Sequence, residues 1–367
     1  MCWSLQALLD FIGSLSNLSK LDLTYCESLQ ALPDSIGGLS NLSALYLSHC
    51  LRLKCMPSGI GKLSHLRTLP VCVLGDKNNC SLRELSSLNL EGKLYMKNLE
   101  NVKNVKEAKE ANLKQKQGLE TLILSWNLDA YQKPGEASSE KINEDGKNVQ
   151  EIVEALAVQD RDVDTELIED VLENLQPHVT LAVLKIEEYL GRVFPRWLME
   201  LAVPNLAKLT LKGCMRCEIL PQFRLLHNIN KLELNTLLRV QCLPALGQMR
   251  SLRILKLYVL PGIKCLSSEF YGGDGAFPAL EDLDLACMPE LEEWSRTAEV
   301  LAMYPDDELF LSSLQSGAFP NIDRPEMKFR VDRMISSLPP VLSGVSMPRH
   351  RGGDGTDPYS QGSSLKS

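Results

Sequence analysis

The sequence predicts an α/β solenoid, with a curved parallel sheet on the concave face and short helices, 3-10 turns and loops on the convex face. Three observations predict it. Leucine recurs on a fixed beat, as Leu18-x-x-Leu21-x-Leu23, Leu42-x-x-Leu45-x-Leu47 and Leu66-x-x-Leu69-x-Val71, each copy 24 residues after the last. Within a copy, apolar and other positions alternate, which is the period of a strand buried on one face. Between copies lie segments such as Leu32-Pro33-x-x-Ile36-Gly37 and Met56-Pro57-x-x-Ile60-Gly61. Their Pro and Gly disfavour a long helix and suit a short turn.

Further copies follow the same rule. A stretched one stands at Leu90-x-x-x-Leu94-x-Met96, then Leu119-x-x-Leu122-x-Leu124. After an interruption the beat resumes at Leu181/Leu184/Ile186, Leu206/Leu209/Leu211, Ile229/Leu232/Leu234, Leu252/Leu255/Leu257 and Leu280/Leu283/Leu285. One unit cannot bury its apolar face alone, but a stack of them makes a continuous core. The fold class is therefore a leucine-rich-repeat solenoid. Cys2, Leu5, Leu8 and Ile12-Gly13 stand 24 residues before Cys26, Leu29, Leu32 and Ile36-Gly37. Met1 is thus expected to open inside a truncated repeat.

Punctuation divides the chain. Residues 1–128 read as N-terminal repeats, the first of them truncated. Within them Asn104-x-x-Glu107 predicts a capping box for a polar helix over 106–117, its Lys/Glu alternation forming a solvated face. Residues 129–148 read as an acidic flexible insertion and 149–178 as short amphipathic helices. Val149, Ile152, Val153 and Leu156 fall on one helical face; so do Ile168, Val171, Leu172 and Leu175, ahead of Pro177. Residues 179–294 are C-terminal repeats and 295–342 a degenerate repeat or cap. Residues 343–367, with 13 Gly, Pro or Ser among 25, form an expected disordered tail. Trp126 and Trp197 are expected to pack in the core or at its flank.

Charge and cysteine bound the function. Net charge is −8, and the stretch 129–176 alone carries 14 acids against 4 bases. The remainder is close to neutral and has no basic stripe, so no nucleic-acid partner is expected. No apolar run is long enough to span a membrane. Eleven cysteines is an odd number, and most sit inside the leucine runs. That usage fits buried thiols in a reducing, cytoplasmic setting. Cys26, Cys50, Cys214 and Cys287 stand just beyond the last strand leucine, where they read as a buried ladder of thiols. Cys214-Met-Arg-Cys217 lacks the second pair that zinc requires, so no metal is expected. His49, His65, His178, His227 and His350 share no spacing with a nucleophile, so neither catalytic residues nor a cofactor are expected.

The residues also resemble a known family. Leu32-Pro-Asp-Ser-Ile36-Gly-Gly-Leu39-Ser-Asn-Leu42 and Met56-Pro-Ser-Gly-Ile60-Gly-Lys-Leu63 are similar to the repeats of plant intracellular nucleotide-binding leucine-rich-repeat disease-resistance proteins. Lys97-Asn-Leu99-Glu-Asn-Val102 … Glu107-Ala-Lys-Glu-Ala-Asn-Leu113 and Val171-Leu-Glu-Asn-Leu-Gln-Pro-His178 … Phe194-Pro-Arg-Trp-Leu198 resemble the coiled-coil class of that family. So does Glu269-Phe-Tyr-Gly-Gly273 … Leu291-Glu-Glu-Trp294. The resemblance implies a sensor that binds a pathogen effector or a host protein and, within a full-length receptor, its own nucleotide-binding domain. The chain has no GxxxxGK[ST] phosphate loop. Gly59-Ile-Gly-Lys62 lacks the spacing, so the nucleotide chemistry is not carried over.

On a stacked sheet the outward residues would form the partner surface. Lys185, Lys208, Lys231, Glu233, Arg253, Lys256, Glu281, Asp282 and Asp284 are the candidate protein-binding set, a basic patch passing into an acidic one. Asp22, Tyr46, Glu120 and Thr121 are expected to precede them. Two competing readings have weaker marks. A ubiquitin-ligase substrate receptor should carry an F-box-like helical region. An extracellular ectodomain should show Gly-x-Ile-Pro returns and paired cysteine caps. A decayed gene fragment is a further alternative.

Overall fold

The structure is a computed structural model. It describes residues 2–76, 81–127, 164–200, 202–272 and 276–291, with the backbone alone of 293–294 and 328–332. The chain divides into two units, Met1–Met334 and Ile335–Ser367, and the second lies outside the described residues. So do the acidic insertion 129–148, the helix expected over 149–156 and the tail 343–367.

Every strand in the first unit has the length the leucine beat allows. In chain order they are β1 (Lys20–Asp22), β2 (Ala44–Tyr46), β3 (Val71–Val73), β4 (Gly92–Lys97), β5 (Leu119–Ser125), β6 (Val183–Glu187) and β7 (Lys208–Lys212). Then come β8 (Lys231–Asn235), β9 (Ile254–Tyr258), β10 (Cys265–Leu266), β11 (Asp282–Ala286), β12 (Glu293–Trp294) and β13 (Lys328–Asp332). Nine of them, β3 to β9 with β11 and β13, form one sheet, and the pairs are parallel. β1 pairs with β2, and an isolated parallel bridge from Ala44 to Thr68 carries the stack toward β3. β10 and β12 make a separate two-stranded ladder.

The register places leucine over leucine. Leu94, Leu122, Leu184, Leu209, Leu232, Leu255 and Leu283 form one inward column. Met96, Leu124, Ile186, Leu211, Leu234, Leu257 and Leu285 form the next. All are buried within one continuous apolar core. The residue after six of the strands turns left-handed, at Asn98, Glu188, Gly213, Thr236, Val259 and Cys287, and swings the chain off the sheet.

The return segments are 3-10 turns, as their Pro and Gly predict: Asp10–Ser14, Asp34–Gly38 and Ile60–Lys62. The glycines answer a steric demand. A Cβ on Gly13, Gly37 or Gly61 would sit 2.2, 2.8 or 2.7 Å from a carbonyl oxygen of the next return segment. Asparagine supplies a second tie between repeats. Asn41, Asn205 and Asn228 each donate a side-chain N–H to a carbonyl of the preceding repeat, at 2.8, 3.0 and 2.9 Å.

The structure corrects four expectations. First, the inward residue of the third repeat is Cys72, not Val71: Val71 pairs with Tyr95 and is half-buried, while Cys72 pairs with Met96 and is buried. Pro70 has no N–H for the ladder, and the strand shifts by one residue past it. Second, the helix expected over 106–117 stops early. α1 spans Val105–Glu110, and Asn112, left-handed at φ 53°, leads into a 3-10 turn at Leu113–Gln115. Asn104 caps it at the Lys106 N–H, but the Glu107 carboxylate accepts from Ser81 Oγ instead of closing the capping box. Third, Lys116 is not on a solvated face. It is 4% exposed, and its ammonium donates to the carbonyls of Leu85 and Leu88 at 2.7 and 2.6 Å. Fourth, Cys287 is half-buried, whereas Cys26, Cys50 and Cys214 are buried as expected.

The second predicted helix is α2, Thr165–Asn174, capped by Asp164 at the Leu167 N–H. Its expected face, Ile168, Val171, Leu172 and Leu175, is buried. Its outer carboxylates are anchors: Glu169 and Glu173 accept the backbone N–H groups of Arg192 and Arg196, each at 2.7 Å. Trp197, in the short helix α3 (Arg196–Met199), donates its indole N–H to the Leu172 carbonyl at 3.0 Å. Trp126 and Trp197 are both in the core. A fourth short helix, α4, spans Ser268–Tyr271.

Candidate protein-recognition face

The outward positions of the sheet fall into three registered columns. The first runs Lys93, Thr121, Val183, Lys208, Lys231, Ile254, Asp282. The middle column is Tyr95, Ile123, Lys185, Thr210, Glu233, Lys256, Asp284. The third runs Ser125, Glu187, Lys212, Asn235, Tyr258, Ala286, with Lys97 ending β4 on the same face. Most of these positions are polar or aromatic because alternate residues of a strand point away from the core the leucines fill; Ile123, Val183, Ile254 and Ala286 are the apolar exceptions.

Seven of the nine candidate residues lie on strands. Lys208 and Lys231 open β7 and β8, and Asp282 opens β11. Lys185, Glu233, Lys256 and Asp284 share the middle column, while Arg253 and Glu281 sit one residue before β9 and β11, at the rim. Glu120 is not in a column. The register shift between Gly92 and Lys93 skips it, and it is exposed. Asp22 and Tyr46 pair with each other across β1 and β2, where Lys20 Nζ stands 4.8 Å from the Tyr46 ring.

The charges do not simply pass from basic to acidic; from β8 onward they interleave. Lys231 Nζ lies 3.5 Å from Glu233 Oε2, and Lys256 Nζ lies 3.6 Å from Asp284 Oδ2. Arg253 and Glu281 pair at 2.8 Å, but with 62% and 50% of their side chains exposed the pair contributes little. The Tyr258 hydroxyl donates to Asp284 and accepts from Lys256 at 3.3 Å. Burial, and then the bond to Asp284, raise the Tyr258 phenol above its ordinary range. At the other end of the face, the Tyr95 hydroxyl donates to Glu187 Oε2 at 3.1 Å. Burial, then the Glu187 carboxylate, push that phenol up to about 12. Both tyrosines therefore remain hydroxyl donors at neutral pH.

Sequence reasoning missed these two tyrosines. Tyr258 follows the last strand leucine by one residue, an outward position its spacing could have marked. Tyr95 and Glu187 are 92 residues apart, across the insertion, and no local signal joins them.

Cys72 and Cys214 are buried. Burial pushes Cys72 and Cys214 up to about 12, so both stay protonated at neutral pH. Cys50 Sγ donates to the Leu23 carbonyl at 3.2 Å and Cys217 Sγ to that of Gly191 at 3.3 Å. Among the described residues no helix is long and apolar enough to cross a membrane.

Comparison with known proteins agrees with this architecture. Residues 82–237, the span of β4 to β8, match the family model described as R13L1/DRL21 LRRs. Disease resistance protein RGA2 of Solanum bulbocastanum is 35% identical over 157 residues, which are 43% of this chain and 13% of that protein. RGA1 of the same species, also named for disease resistance, is 32% identical over 157 residues with the same coverage. A similarly named protein of Arabidopsis thaliana is 32% identical over 151 residues, 41% of this chain and 9% of its own. The match thus spans 13% of the length of the first two relatives. The repeats of this chain are similar to the leucine-rich repeats of plant disease-resistance proteins.

Proposed function

We propose that this chain is the recognition module of a plant disease-resistance receptor. It binds a pathogen effector, or a host protein that an effector alters, and acts in the defence response without catalysis of its own. Within a longer receptor it would also contact that receptor's nucleotide-binding domain, in the cytoplasm. One observation carries the reading: a single parallel sheet presents three registered columns of mostly polar and aromatic side chains on one face, on repeats similar to those of disease-resistance proteins. Such a surface offers many adjustable contacts at fixed spacing, which suits selection of a protein partner.

The test is photo-crosslinking in plant tissue responding to infection. A photoreactive side chain at Thr121 or Asn235, on the sheet face, should capture a partner protein. The same group at Lys62 or Lys114, on the return side, should not. Capture from the return side alone would overturn the reading.

A further inference from the structure

Among the described residues, the three lysines at the centre of the sheet face form no ion pair, unlike Lys231, Arg253 and Lys256 beyond them. Lys208 and Lys212 flank Thr210 on β7, and Lys185 stands opposite Thr210 on β6. Thr210, between the three lysines in the register, is 8% exposed. Two carboxylates border them, and both are engaged. Glu187, opposite Lys212, accepts from the Tyr95 hydroxyl, and Glu233, opposite Thr210, pairs with Lys231. Among the described residues, no ion pair is formed by Lys185, Lys208 or Lys212.

This cluster sits in a chain of net charge −8. An unpaired cluster of like charge costs stability through its own repulsion, and an anionic partner would turn that cost into attraction. From its place in the face we infer that Lys185, Lys208 and Lys212 dock an acidic, extended segment of the partner protein. The inference rests on the recognition role proposed above and names the chemistry of its ligand. At ~3.3 Å per residue, Lys208 and Lys212 are ~13 Å apart along the strand, the reach of four to five extended residues. Carboxylates on alternate residues of such a segment would meet successive lysines. A nucleic-acid strand fits less well. Its charge continues at every phosphate, whereas beyond β8 the remaining bases are already paired and Asp282 and Asp284 would repel it.

The experiment is a fluorescence-anisotropy titration of the full chain with labelled hexaglutamate, beside a short oligothymidylate. Hexaglutamate should bind saturably and weaken as NaCl rises from about 50 to about 200 mM. The triple variant K185E/K208E/K212E should weaken it at least about tenfold. K106E/K109E/K114E makes the same charge change on exposed lysines away from the sheet and should leave binding unchanged. If the reversed variant does not fold, K185Q/K208Q/K212Q replaces it, with a smaller loss in the same direction. The proposal is overturned if hexaglutamate does not bind, if both triple variants weaken it equally, or if oligothymidylate binds as tightly. Should crosslinks from Thr121 and Asn235 persist in those cases, only the acidic-segment proposal falls. Loss of those crosslinks removes the recognition reading itself.

Discussion

Glu100 Oε2 accepts the backbone N–H of Asn127 at 2.8 Å, tying the turn after β4 to the end of β5. Glu100 is 7% exposed, and burial raises its carboxyl from 4.5 to about 7. Folding therefore favours the protonated form. The associated stability is fully present below the unfolded value of about 4.5 and is lost as pH rises through about 7. Over that window Glu100 should remove on the order of 2–3 kcal/mol of stability. Glu100→Gln, measured by urea unfolding at several pH values, should flatten the decline and leave the variant more stable than the parent at pH 8.

Lys116 should be irreplaceable by an apolar side chain of similar length. Its ammonium is the donor to the Leu85 and Leu88 carbonyls, and burial lowers its pKa to about 8. Lys116→Met would take the side-chain donor from the Leu88 carbonyl and leave the Leu85 carbonyl with the Leu88 N–H alone, at a cost on the order of 1–3 kcal/mol. Lys114→Met, on an exposed residue two positions earlier, should cost under about 0.5 kcal/mol. Equal thermal midpoints for the two variants would refute the capping role.

Gly37→Ala tests the stacking of return segments. The added Cβ would lie 2.8 Å from the Gly59 carbonyl oxygen, which is backbone and can yield only if two repeats separate. A loss of about 1–3 kcal/mol is expected from such overpacking. Differential scanning calorimetry reads it directly, and a neutral result would mean that the return turns slide freely.

Leu232 lies inside the inward column, between Leu209 and Leu255, fully buried on β8. Leu232→Ala should cost about 3–4 kcal/mol through lost burial and a cavity. Because each repeat contacts only its neighbours, the lesion should uncouple the two sides of the stack. Hydrogen exchange should then show β9 and β11 opening separately from β4 and β5. A uniform loss of protection would contradict a nearest-neighbour core.

The two classes of charge pair on the face should also part company. Arg253→Ala, at the exposed rim, should change stability by less than about 0.5 kcal/mol. Lys256→Ala should cost more, because it also removes the donor to Tyr258 and leaves the less exposed Asp284 with one partner fewer. The comparison is read from urea midpoints of the two single variants.

The beat of leucines, read alone, yields the inward columns, the 3-10 returns, the face of α2 and the outward place of Lys185, Lys256 and Asp284. It can do so because each repeat folds by a local period-two pattern and meets only the copies beside it, so register propagates along the chain. The sequence fails where a contact skips that local rule. Pro70 displaces Val71 in favour of Cys72, since a missing N–H shifts the ladder. Lys116 reads as a surface charge until the fold brings the Leu85 and Leu88 carbonyls to it. Tyr95 meets Glu187 only because β5 pairs β6 across the insertion. The same holds for charge. The sequence determined which lysines and acids face outward, and the tertiary register decided which of them, among the described residues, form ion pairs. Ion pairing depends on distances of a few ångströms between separate strands, and a repeat pattern along one chain does not specify them.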